Sequence, residues 1–196
     1  MRIGYCFTGS FCTFAHSLAA LGELVSHGYD VTPIMSENAF CTDTRFQRAE
    51  DFSTRVEALC GKKIIHTLVD AEPLGPRYPL DALVVAPCTG NTLAKVISGI
   101  TDTAATMAIK AHLRCDRPLV LAVATNDAMS QNLANLSAML SRKAVYLVPM
   151  VQDSPVHKPH SLVADFSLIP AVLSAALRGE QLRPLFLMPS EANKGE

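Results

Sequence analysis

The stretch Asp81-Ala-Leu-Val-Val-Ala-Pro-Cys-Thr-Gly-Asn-Thr-Leu-Ala-Lys95 decides the fold. The apolar run Ala82–Ala86 has the length and composition of a strand buried on both faces. Pro87 ends it, because proline has no N–H to give a central ladder. Gly90 then permits a tight turn, and Asn91 and Thr92 are side chains that cap the helix starting there. A buried parallel strand that empties into a small polar loop and a helix N-terminus can hold an anion or the polar edge of a ligand. Taken alone, the segment also fits an ordinary βα turn with a good cap.

Working outward, a second segment of the same kind stands at the start of the chain. Arg2-Ile-Gly-Tyr-Cys-Phe7 reads as a strand, and Thr8-Gly9-Ser10 as a turn before a helical stretch. Further strands are expected at Asp30–Met35, Lys63–His66, Ala82–Ala86, Pro118–Val123 and Ala144–Val148. Helices are expected at Phe11–His27, Thr44–Cys60, Thr92–Ile97, Thr103–Leu113, Ala128–Leu140 and Phe166–Leu177. Pro170 argues for a later start to the last of these. Gly28 and Gly61 stand where helix C-termini favour a left-handed residue. This alternation predicts an α/β fold: a single-domain, doubly wound, Rossmann-like parallel sheet with helices on both faces. In such a sheet the first strand lies beside the fourth, where the strand order reverses, so the turns at Thr8–Ser10 and Cys88–Thr92 open into one crevice. The segment Thr125-Asn126-Asp127-Ala128-Met129 also follows a buried strand and reaches the same edge. The domain is placed at 1–182 and a C-terminal tail at 183–196, with Gln152–Val163 irregular.

Composition narrows the function. The chain has 196 residues, 49% apolar and 18% charged, with a formal net charge of −1 and no basic run. That suits one globular domain with ample core and argues against nucleic acid as a partner. No stretch has the length of a membrane span, and no signal peptide precedes the first strand. Six cysteines without a Cys-x-x-Cys pair suggest reduced thiols in a cytoplasmic protein, mostly as small core residues. The six histidines are scattered, and His157 and His160 flank Pro159 without a matching cluster, so no metal site is expected.

The crevice lacks the Gly-x-Gly-x-x-Gly dinucleotide fingerprint, and Glu37 after the second strand is one lone carboxylate for a ribose. A compact polar loop without the triple glycine suits a single phosphate and a polyol, as in riboflavin monophosphate (FMN). The stretches Ala86-Pro-Cys-Thr-Gly-Asn-Thr-Leu-Ala-Lys95, Thr8-Gly-Ser10, Ile100-Thr-Asp-Thr103 and Thr125-Asn-Asp-Ala-Met129 resemble the flavoprotein family of homo-oligomeric flavin-containing cysteine decarboxylases. The resemblance runs from Arg2 to about Pro184. Three further stretches, Thr42–Phe46, Ala71–Pro76 and Lys158–Asp165, are similar to one branch of it. The members of that branch are cytoplasmic subunits of sporulating bacteria.

The resemblance implies FMN held between subunits of a trimer or a multiple of it. Gly9, Ser10 and Ser36 would meet the cofactor, and Thr89, Asn91 and Thr92 its phosphate or ribityl chain. Thr101 and Thr103 would lie near the flavin across the subunit boundary, and Thr125, Asn126 and Met129 near its ring edge or the substrate. Each residue also has a plain structural reading: Asn91 and Thr92 as caps, Thr101 and Thr103 as exposed hydroxyls, Met129 as core. The branch implies a second, nicotinamide-binding subunit that brings NADP, and a small dicarboxylate substrate. A dihydropyridine dicarboxylate would be oxidised to pyridine-2,6-dicarboxylate.

Two departures and two further residues complete the reading. Family decarboxylases place a histidine just before the fourth strand, whereas Ala71–Tyr78 has none and His66 reads as a strand end. Cys88, beside a helix N-terminus, is a candidate nucleophile, with loop filler as the other reading. Arg45, after Cys41-Thr-Asp-Thr44, offers a planar fork for a dicarboxylate, and Arg77 is a second of that sort. Three functions remain open: an oxidoreductase subunit, a stand-alone FMN-dependent decarboxylase or prenyltransferase, and a non-catalytic partner that stabilises the nicotinamide-binding subunit.

Overall fold

The computed structural model describes residues 1–188. Strands β1 (Arg2–Phe7), β2 (Asp30–Met35), β3 (Ala82–Cys88), β4 (Leu119–Thr125) and β5 (Val145–Leu147) are parallel, in the spatial order β2-β1-β3-β4-β5. The order reverses between β1 and β3, which places the two Thr-rich turns side by side.

Alternation along each strand sorts its side chains to two cores. Tyr5, Phe7, Val84, Val120 and Ala122 face α1 (Phe14–Ser26), α3 (Ala49–Cys60) and α8 (Ile169–Leu177). Cys6, Leu83, Val85, Leu121 and Val123 face α5 (Gly90–Ile97), α6 (Ala104–Leu113) and α7 (Leu133–Leu140). Beneath the crevice Phe14 stacks on Phe52 with centroids 4.5 Å apart, and Phe7 meets Phe52 edge-on at 5.1 Å.

Several expected elements shift, each for a local reason. Pro87 does not end β3: the strand runs to Cys88, with a change of register between Val85 and Cys88 that spares the missing N–H. The expected strand Lys63–His66 is a single bridge from Ile65 to Ile34. The expected helix Thr44–Cys60 starts at Ala49, because Thr44 Oγ1 closes a turn onto the N–H groups of Phe46 and Gln47. Asp43 Oδ1 then accepts the Ala49 N–H at 2.8 Å in place of a regular cap. Ser36 caps a separate short helix, α2 (Glu37–Cys41), and α4 (Leu68–Ala71) follows later. The helix expected from Phe11 opens as a 3-10 turn, Phe11–Thr13. Gly61, at φ 64°, ends α3 in the left-handed conformation.

The region Gln152–Val163 is irregular as expected as far as Ser161, and two short strands bracket it. Strands β6 (Met150–Val151) and β7 (Leu162–Ala164) pair antiparallel, and β7 adds to the outer end of β4 through Ala124 and Thr125. This lays the intervening loop against the crevice. Leu185–Leu187 run beside Met150; the polar ending from Ser190 lies outside the described residues. All six cysteines are free, but only Cys6 and Cys88 are buried, while Cys12 and Cys41 are exposed.

Candidate functional site

The crevice is built on a buried threonine. Thr8, 1% exposed, donates its hydroxyl to the Pro87 carbonyl at 2.8 Å and accepts the Thr89 N–H at 3.0 Å. The turn after β1 is thereby bonded to the turn after β3. The cap of α5 is Thr89, not Asn91 or Thr92: its Oγ1 accepts the Thr92 N–H at 3.2 Å. The threonine occupies the cap because its backbone is extended there, whereas Gly90, Asn91 and Thr92 are already helical. The N–H groups of Gly90 and Asn91 find no acceptor among the described residues. The Asn91 side chain is exposed and likewise makes no hydrogen bond among them.

Gly90 serves a close approach rather than a tight turn. A Cβ at this position would stand 2.5 Å from Asn132 Nδ2, 2.6 Å from Thr125 Oγ1 and 2.9 Å from Asp127 Oδ1. Those three groups form one network: Thr125 Oγ1 donates to Asp127 Oδ1 at 2.5 Å and Asn132 Nδ2 to Asp127 Oδ2 at 2.8 Å. The Asp127 carbonyl also takes the N–H groups of Ser130 and Asn132, which delays the helix expected at Ala128 until Leu133. Thr8 and Asp127 stand in turns the sequence marks, but their bracing roles carry no signal there: the partners of Thr8 are 79 and 81 residues away, and Asn132 stood inside an expected helix.

Two adjoining chambers meet along a ridge of Gly9, Thr89 and Asn91. The larger, about 690 Å³, is lined by Ser10, Thr125, Asn126 and Asp127 on its floor and by Arg45, Phe46, Asp153 and Lys158 farther out. The smaller, about 320 Å³, is lined by Ser36, Glu37, Asn38, Thr92, Lys95, Asp102 and Thr103. Lys95 is paired there, donating to both oxygens of Asp102 at 2.9 and 2.8 Å, and this pairing holds the Asp102 carboxyl below its usual range.

Nine of the eleven expected cofactor residues line these chambers: Gly9, Ser10, Ser36, Thr89, Asn91, Thr92, Thr103, Thr125 and Asn126. Thr101 lies instead in a separate groove with Ile100, Lys110, Arg114 and Arg142. Met129 lines neither chamber, and at 45% exposure it is not a core residue either. Arg45 reaches the larger chamber, whereas Arg77 is exposed outside both. Cys88 is buried, and burial pushes its thiol up to about 12, so no thiolate stands at neutral pH and the nucleophile reading loses its premise. His66 stacks on Phe40 with centroids 3.8 Å apart, and none of the six histidines lines either chamber. Residues that reach the crevice from the 153–161 loop were missed because they depend on the β6–β7 pairing. Among the described residues no cluster of ligand-type side chains could hold a metal, and no helix is long and apolar enough to cross a membrane.

The chain belongs to the flavoprotein family, whose model matches residues 1–167. It is 40% identical to the B-type subunit of dipicolinate synthase from Bacillus subtilis (strain 168) over 192 residues, covering 98% of this chain and 96% of the relative. The crystal structure of the corresponding dipicolinate synthase subunit from Bacillus halodurans superposes with a TM-score of 0.87 at 37% identity, covering 95% of each chain. A dodecameric FMN-dependent Ubix-like decarboxylase from Escherichia coli O157:H7 superposes with a TM-score of 0.62 at 28% identity, over 76% of this chain and 80% of that one.

Proposed function

We propose that this chain binds FMN across the ridge of Gly9, Thr89 and Asn91 and acts as the flavin-family subunit of a dipicolinate synthase. The observation that carries the reading is the N-terminus of α5, where two N–H groups lack an acceptor among the described residues and the helix opens on a polar cavity. That is the arrangement a phosphate dianion completes. Thr89, Asn91 and Thr92 would hold the phosphate or ribityl chain, with Gly9, Ser10 and Ser36 beside them. Thr125 and Asn126 would meet the ring edge or the substrate. A cavity of about 690 Å³ is in the range of cofactor sites.

When bound, FMN supplies a group able to accept or donate two electrons. The overall reaction removes a hydride equivalent and a proton from dihydrodipicolinate, giving pyridine-2,6-dicarboxylate. NADP held by a nicotinamide-binding partner subunit accepts the hydride. This chain's share is to bind the substrate, orient it and exclude water. A homo-oligomer, a trimer or a multiple of it, would bring Thr101 and Thr103 to a neighbour's flavin, in the cytoplasm of the mother cell. A stand-alone decarboxylase has less support, because no histidine lines the crevice and the Cys88 thiol is buried.

The visible spectrum of the purified chain, alone and mixed with its partner subunit, tests the reading. Flavin absorbance with the chain, and full turnover of dihydrodipicolinate only in the mixture, are expected. A chain that takes up no added FMN, or that turns over the substrate at full rate with NADP alone, would contradict it.

A further inference from the structure

Three cations line the two chambers, and they differ in what they still have to give. Lys95 gives two of its three donors to the oxygens of Asp102. Arg45 has no carboxylate partner among the described residues. Its guanidinium stacks over the Phe46 ring, Cζ standing 4.9 Å from the centroid. Stacking engages the face of the guanidinium and leaves its in-plane N–H donors free, while limiting the side chain's motion. Lys158 donates once, to Asp153 Oδ2 at 3.0 Å, which leaves two of an ammonium's three donors. Its loop is held in place by Lys158 N–H to Ser154 carbonyl at 2.7 Å and Gln152 Nε2 to Pro159 carbonyl at 2.7 Å.

Arg45 is carried by the turn that Thr44 and Asp43 close, and Lys158 by the loop that β6 and β7 hold. Both reach the larger chamber, and neither belongs to the ridge. We propose that this outer wall is a dicarboxylate clamp, in which Arg45 takes one carboxylate as a bidentate pair and Lys158 takes the other. The proposal rests on the reading of the crevice as a flavin site with room for a substrate beside it. Charge-assisted bonds of this kind are the stronger class, and a planar fork fits a carboxylate at two points. The clamp discriminates by charge count: a monocarboxylate of the same ring can engage only one cation.

Calorimetric titration of the FMN-loaded chain with pyridine-2,6-dicarboxylate tests this. Arg45→Ala and Lys158→Ala should each weaken binding by about tenfold or more, with Arg45→Lys in between and FMN affinity unchanged in all three. Pyridine-2-carboxylate should bind the parent more weakly and respond to fewer of the substitutions. Arg77→Ala, exposed outside both chambers, should leave both ligands unaffected. Parent-like affinity in Arg45→Ala and Lys158→Ala, or no binding of the dicarboxylate by the parent, would overturn the clamp. Failure of the parent to take up FMN would overturn the proposed function instead, and titration of the flavin-free chain then decides the clamp alone.

Discussion

The floor of the crevice and its outer wall are made in opposite ways. On the floor, Thr8 bonds the turn after β1 to the turn after β3, and the Thr125–Asp127–Asn132 network holds the turn after β4 close against Gly90, with Thr8 and Asn132 buried. On the wall, Arg45, Phe46 and Lys158 are exposed on two loops, with donors left over. A floor of this sort fixes the shape of a site, and a wall of this sort leaves groups for a ligand to satisfy. Stability belongs to the first and recognition to the second.

Substitutions can break that division. Gly90→Ala should be the most damaging, because the new methyl meets Asn132, Thr125 and Asp127 at 2.5–2.9 Å and the whole network must move. A loss of about 3 kcal/mol is expected by urea unfolding, with FMN affinity falling as well. Thr8→Val keeps the shape but strands the Thr89 N–H and leaves the Pro87 carbonyl only the longer bond from the Thr8 N–H at 3.3 Å. It should lower stability by about 2 kcal/mol. A stability close to the parent's in either variant would mean that the floor does not hold the turns together.

A smaller effect is expected at the other end of the sheet and only in acid. His112 is fully buried, its Nε2 paired with the Pro118 carbonyl at 2.8 Å and its Nδ1 without a partner among the described residues. Burial is the chief cause that holds its pKa below the ordinary value of 6.5. The unfolded chain therefore binds the proton more readily than the folded one. The stability this represents is complete above about pH 6.5 and is lost as the pH falls below it. Thermal melting from pH 8 to pH 5 should show that decline, and His112→Gln should flatten it. The smallest effect belongs to the wall: Arg45→Ala should change the melting stability by no more than about 0.5 kcal/mol, whatever it does to ligand binding. A large loss would move Arg45 to the structural side of the comparison.

The same division explains what the sequence made legible. The floor follows from local rules: an apolar run, a small polar turn and a helix start, repeated at Phe7, Cys88 and Thr125, place the crevice at the switch point. Within that pattern the roles of single residues were misassigned. Thr89 rather than Asn91 caps the helix, because the chain turns helical at Gly90, two residues before the expected start at Thr92. Gly90 is needed for a neighbour 42 residues away, Asn132, which no local pattern reveals. The wall was less legible still. Arg45 was noticed only for its chemistry, within a stretch expected to be helical. Lys158 and Asp153 reach the crevice through two short antiparallel strands whose pairing carries no periodic signal.

The central claim is that the N-terminus of α5 receives the phosphate of FMN, and Asn91→Asp tests it most directly. Asn91 neither caps the helix nor makes a hydrogen bond among the described residues, so the substitution leaves the fold alone. A carboxylate in the first turn of a helix is, if anything, mildly stabilising. Beside a bound dianion in a partly desolvated crevice it repels. FMN titration with thermal melting as the folding control should therefore show an unchanged or slightly raised melting temperature and FMN binding weakened about a hundredfold. Equal FMN affinity in the variant and the parent would contradict the account.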